Sequence, residues 1–115
     1  MVNHDRLGAI FAALADPTRR RMVERLARRP MSVGQMSEGL TISQPGISKH
    51  VKVLEQAGLL KRDIVGRVHL CKLDPKTIEA ASAWIDDQRR FWSGTLDRLD
   101  AYLVRTQKTR VKKGR

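Results

Sequence analysis

Cysteine is nearly absent from this chain. Cys71 stands alone among 115 residues, so no intramolecular disulfide can form and nothing calls for an oxidising compartment. Long apolar runs are missing too. No stretch approaches the ~18 consecutive apolar residues of a membrane span, and the N-terminal MVNHDRLGAIFAALAD lacks the basic-then-apolar pattern of a secretory leader. Both absences predict a cytoplasmic location and no membrane partner. Glycine-rich and low-complexity segments are also lacking, so one small globular domain is expected. Its core must be modest, because a chain of this length buries only about 60–70% of its unfolded surface.

Catalytic patterns are missing as well. There is no phosphate-cradling glycine loop and no paired-carboxylate cleft. Ser48, His50 and Asp63 supply the residue types of a triad, but on one helix Ser48 and His50 point about 160° apart and cannot act as nucleophile and base. The reading is therefore not an enzyme, and no cofactor is implied.

What the chain has in excess is positive charge. Lys and Arg total 23 against 12 acidic residues, a formal net charge of +11, which argues for a polyanionic partner. The excess is uneven. Residues 1–40 carry seven basic and four acidic groups, residues 41–73 six and two, residues 74–104 four and six, and residues 105–115 six and none. Residues 1–104 are expected to form the domain, and residues 105–115 a basic, disordered tail that could bind phosphates nonspecifically.

Leu7, Ile10, Phe11 and Leu14 recur at helical spacing and predict a first helix over about 4–15. Asp16-Pro17 caps and opens a second, which ends near Arg28 before Pro30. Ser32-Val33-Gly34-Gln35 fits a capping box, with Met31 and Met36 placed as a hydrophobic staple, for a short third helix ending near Gly39. The fourth contains a proline. With Thr41 as its cap, Pro45 would fall where an N–H must bond the cap carbonyl. With Ser43 as cap, Pro45 loses no hydrogen bond, Gly46 donates to the serine oxygen, and Ile42 staples to Ile47. Ser43 is the better cap, and the helix runs to about Ala57 with Gly58 as its stop.

Leu59–Ile64 and Arg67–Leu73 around Val65-Gly66 predict a β-hairpin, and Asp74-Pro75 opens a last helix reaching about Arg105. Its apolar stripe of Ile78, Ile85, Trp92, Leu96, Leu99 and Leu103 is sustained. Thirty residues would span roughly 45 Å, longer than so small a domain is wide, so pairing with a second copy is favoured over a core helix broken near Ser93-Gly94.

On the fourth helix Ile47, Val51, Leu54 and Ala57 share one side, while Pro45, Ser48, Lys49, Lys52 and Gln56 occupy the other, with Gln44 near the border. Residues 41–54 contain no acid, although a helix start normally attracts one, and Lys49, His50 and Lys52 add positive character. That arrangement suits an approaching phosphate. A short capped helix, a turn, a basic-faced helix and a basic hairpin together describe a winged helix-turn-helix: mainly α with a small β-hairpin.

The stretches ALADPTRRRMVERL, MSVGQMSEGL, SQPGISKHVKVLEQAGLL and GRVHLCKLDP resemble, in order and across about residues 7–100, the motifs of ArsR-type bacterial winged helix-turn-helix regulators. The resemblance implies a homodimeric, sequence-specific DNA-binding transcriptional repressor. The first and last helices would form the dimer interface through Leu7, Phe11, Ile85, Trp92, Leu96, Leu99 and Leu103; Ser43–Ala57 would be the recognition helix and Leu60–Leu73 the wing. Double-stranded DNA with an imperfect palindrome is the expected partner. Gln44, Ser48 and Lys49 are the candidates for base edges. Ser32, Gln35, Lys52, Lys61, Arg62 and Arg67 are the candidates for phosphates.

Metal-sensing members place a Cys-x-Cys in the third helix or Asp/His sets along the dimer helix, but SVGQMSEGL and TIEAASAWIDDQRRFWSGTLDRL hold no Cys or His. No metal site carries over. His69 and Cys71 could supply half of a soft site, which leaves a metal- or thiol-responsive sensor as one alternative and an RNA- or protein-binding winged-helix module as another.

Overall fold

The computed structural model describes the backbone of residues 4–113 and the side chains of residues 4–107. Among these the elements are α1 (His4–Leu14), α2 (Pro17–Arg28), β1 (Met31–Ser32), α3 (Val33–Met36), α4 (Gln44–Gln56), β2 (Leu60–Val65), β3 (Val68–Leu73) and α5 (Pro75–Lys113). Packing divides the chain into two units, Met1–Ala81 and Ser82–Arg115.

The first unit is built by its caps. Asp16 adopts extended backbone and its carboxylate accepts from Arg19 N–H at 3.0 Å, with Pro17 opening α2. Ser32 and Gln35 form the reciprocal capping box at 3.2 and 3.0 Å, and the two methionines of the staple, Met31 and Met36, are both buried. Ser43 is the cap of α4: its hydroxyl accepts from Gly46 N–H, and the first intrahelical bond runs from Ile47 N–H to Ser43 carbonyl. Pro45 sits in the first turn, where its missing N–H removes nothing.

Helix α4 stops in a Schellman motif. Gly58 takes φ +77, its N–H reaches Glu55 carbonyl, and Leu59 N–H reaches Leu54 carbonyl, both at 3.0 Å. The buried side chains of Leu54 and Leu59 accompany the turn. Thr77, at the start of α5, donates its hydroxyl to Gly58 carbonyl at 2.5 Å and accepts from Arg6 of α1 at 3.2 Å, so the one buried polar side chain among the described residues is satisfied. Around these joints Ile10, Met22, Met36, Val51, Leu54, Leu59 and Cys71 form the core. Each large apolar side chain contributes roughly 1.5–3 kcal/mol on burial.

Three features differ from expectation. The sheet has three strands in order β1-β3-β2, all antiparallel, because Met31 and Ser32 pair with Cys71 and Leu70. A two-residue strand carries no periodicity, so only the tertiary partner reveals it. Helix α3 ends at Met36, and Gly39, expected as its end, takes φ +79 in the turn that follows. Helix α5 continues through Ser93-Gly94 and past Arg105 to Lys113, since no proline or glycine interrupts residues 95–113. The segment expected to be a disordered tail is therefore helical as far as it is described; the side chains of its last eight residues lie outside the described residues.

In the second unit Ile85, Phe91, Trp92, Leu96, Leu99, Tyr102, Leu103 and Val104 are all exposed, and Phe91 meets Trp92 edge-on at 5.8 Å between ring centres. Among the described residues no helix is long and apolar enough to cross a membrane.

Candidate nucleic-acid interface

Helix α4 buries Ile47, Val51 and Leu54 and turns Gln44, Pro45, Ser48, Lys49, Lys52 and Gln56 outward. At 100° per residue the outward set falls within about 140°. All three candidates for base edges, and Lys52 beside them, thus share one exposed face. Its first acid is Glu55, near the C-terminal end of the helix, so the N-terminal three turns present amide, hydroxyl and ammonium groups without a competing carboxylate.

The phosphate candidates separate. Lys61 and Arg67 are exposed on the wing; Lys61 lies 3.6 Å from Asp74, a solvent-screened contact that leaves its ammonium available. Gly66 makes the wing turn with φ +63, placing Arg67 at the tip between exposed Val65 and Val68. Gln35 is exposed, and Ser32 is half-buried with its oxygen already accepting from Gln35 N–H, which leaves the hydroxyl proton to donate.

Arg62 is placed differently from the other phosphate candidates. It is half-buried, its guanidinium pairs with Glu55 of α4, and another nitrogen lies 3.3 Å from His69 Nδ1. Its Nε has no hydrogen-bond partner. Arg62 braces the wing against α4, and the alternation of a strand cannot show that because the partner lies on another element.

His50 is likewise turned to another element. Its Nδ1 lies 3.1 Å from an Arg19 guanidinium nitrogen. His50 therefore docks α4 on α2. Arg19 itself donates to Ala13 and Ala12 carbonyls at the end of α1, Arg20 donates to Leu14 and Ala15 carbonyls, and Arg25 donates to Met36 and Glu38 carbonyls. Much of the positive charge of α2 thus closes helix ends, where partial negative charge accumulates.

Two side chains bear on sensing. Cys71 is fully buried on β3 opposite Met31 and Arg62, and burial pushes its thiol above the ordinary range, opposed by the Arg62 charge and aided by Glu55. His69, two residues away, turns its Nδ1 to Arg62. Among the described residues no group of three or more His, Cys, Asp or Glu is arranged to hold a metal ion. Of the dimer candidates, Ile85, Trp92, Leu96, Leu99 and Leu103 are exposed, Phe11 is half-buried, and Leu7 is buried in the first unit.

This geometry has counterparts. A family model described as a helix-turn-helix domain matches residues 14–63, spanning α2 through the start of the wing. HTH-type transcriptional regulator Rv2034 of Mycobacterium tuberculosis is 42% identical over 86 residues, covering 75% of this chain and 78% of that protein. Transcriptional repressor SdpR of Bacillus subtilis is 30% identical over 76 residues, 66% of this chain and 84% of the repressor. A crystal structure of an ArsR family transcriptional regulator superposes with a TM-score of 0.74 at 34% identity, covering 81% of this chain and 97% of that one. By these identities and this superposition, the chain belongs to the ArsR-type family of winged helix-turn-helix transcriptional regulators.

Proposed function

We propose that the protein is a homodimeric repressor that reads an imperfect palindrome in double-stranded DNA. The observation that carries this reading is the outward face of α4, which gathers Gln44, Ser48, Lys49 and Lys52 at an acid-free helix start. Gln44, Ser48 and Lys49 contact base edges, and Lys52, Lys61, Arg67, Ser32 and Gln35 contact phosphates. Two copies pair through the exposed stripe Ile85, Trp92, Leu96, Leu99 and Leu103, whose exposure would be costly in a lone chain. The protein acts in the cytoplasm without a metal, and binds rather than catalyses.

Footprinting on selected duplex sites tests the reading. Two protected half-sites about 34 Å apart centre to centre are expected, with affinity falling steeply as salt rises. Protection of a single half-site, or preference for duplex RNA over every DNA duplex tried, would contradict it.

A further inference from the structure

A cleft of about 470 Å³ opens between the end of α2, β1 and α3, lined by Arg25, Arg28, Arg29, Met31, Gln35 and Glu38. Its volume is that of a small-ligand site. Arg25 is held rigidly, its Nη1 donating to Met36 carbonyl at 2.8 Å and Glu38 carbonyl at 2.7 Å. Gln35 turns its Oε1 to Ser32 N–H, which leaves its amide N–H groups to donate elsewhere. Arg28 and Arg29 are exposed and make no ion pair among the described residues, and neither does Glu38, the only acid on the lining.

Three guanidiniums against one carboxylate leave the lining net positive, which favours an entering anion. Two guanidinium forks and a side amide can address the three or more oxygens of a phosphate group together, each fork bonding bidentately. We propose that this cleft binds a phosphate oxyanion, with Arg28 and Arg29 gripping it, Gln35 donating from the side and Met31 forming an apolar floor. Two sources share that chemistry: a phosphate of the DNA backbone, or a free phosphate-bearing small molecule. The first source rests on the DNA-binding reading above; the second does not.

The experiment uses the full chain and the double variant Arg28→Gln/Arg29→Gln, with pyrophosphate as the free probe and duplex operator DNA as the other. A second double variant, Arg21→Gln/Arg89→Gln, removes two exposed charges elsewhere and controls for net charge. If a free phosphate compound occupies the cleft, pyrophosphate binding measured calorimetrically falls at least tenfold in the cleft variant and is unchanged in the control. If the DNA backbone occupies it, the slope of log affinity against log salt shrinks by about 1–2 in the cleft variant only, as expected from one or two lost phosphate contacts. Arg28→Lys/Arg29→Lys keeps the charge, and should retain part of either binding if the cleft variant proves poorly folded by circular dichroism. Wild-type pyrophosphate binding with no DNA binding at all would count against the operator reading and leave the cleft standing. Equal losses in cleft and control variants, or no loss in either assay, would overturn the proposal.

Discussion

Glu55 at the end of α4 and Arg62 on β2 form an ion pair that fastens the hairpin to the helix. Each side chain is about one-third exposed, 34% and 28%, so screening limits the gain to about 1 kcal/mol. A double-mutant cycle of Glu55→Gln and Arg62→Ala should show coupling of about that size, with Glu55→Gln alone lowering Tm by about 4 °C. Additive effects in the cycle would remove the brace from the account.

Asp16 links the start of α2 to pH. The Arg19 backbone N–H holds its carboxyl below the ordinary value of 3.8, helped by the charges of His50 and Arg19 and by Thr18 N–H, and opposed by burial. A carboxylate depressed on folding stabilises the fold above its unfolded pKa, and that contribution disappears as pH falls through the lower folded value. Chemical denaturation from pH 5 to pH 2 should therefore show a shallower acid loss for Asp16→Asn than for wild type. Parallel curves would show that the cap does not titrate with folding.

The buried, upward-shifted thiol of Cys71 predicts slow chemistry. Native protein at pH 7.5 should react with a disulfide reagent at least a hundredfold more slowly than the denatured chain. DNA affinity should be the same before and after mild peroxide treatment. Rapid native labelling accompanied by release of DNA would revive the thiol-sensor alternative.

The exposed stripe of α5 predicts association. Gel filtration of the wild type at micromolar concentration should give a dimer, and Leu99→Asp, which places a charge in the stripe, should shift it to monomer and weaken operator binding at least tenfold. A wild-type monomer under these conditions would leave the stripe without its proposed occupant.

Much of this was readable from local chemistry. The caps at Asp16, Ser32 and Ser43 and the stop at Gly58 act within a few residues of themselves, so their sequence signals sufficed. The outward face of α4 followed from spacing alone. What escaped were contacts set by other elements: β1 exists because Met31 meets Cys71, Arg62 pairs with Glu55, His50 meets Arg19, and Leu7 is covered by the first unit. Arg28 and Arg29 read as an ordinary basic helix end until Arg25 and Gln35 are seen beside them. The division at Ala81 was likewise invisible, because the helical pattern of α5 runs through it.

The central claim is that α4 reads DNA through Gln44, Ser48 and Lys49. Its most direct test is a gel-shift titration of Gln44→Ala/Lys49→Ala against the selected operator and against the same duplex with its half-sites scrambled. Both side chains are exposed, so Tm should be unchanged. Lost base contacts of about 1–3 kcal/mol each predict operator affinity at least tenfold weaker and a reduced preference over the scrambled duplex. Unchanged affinity with unchanged preference would contradict the account.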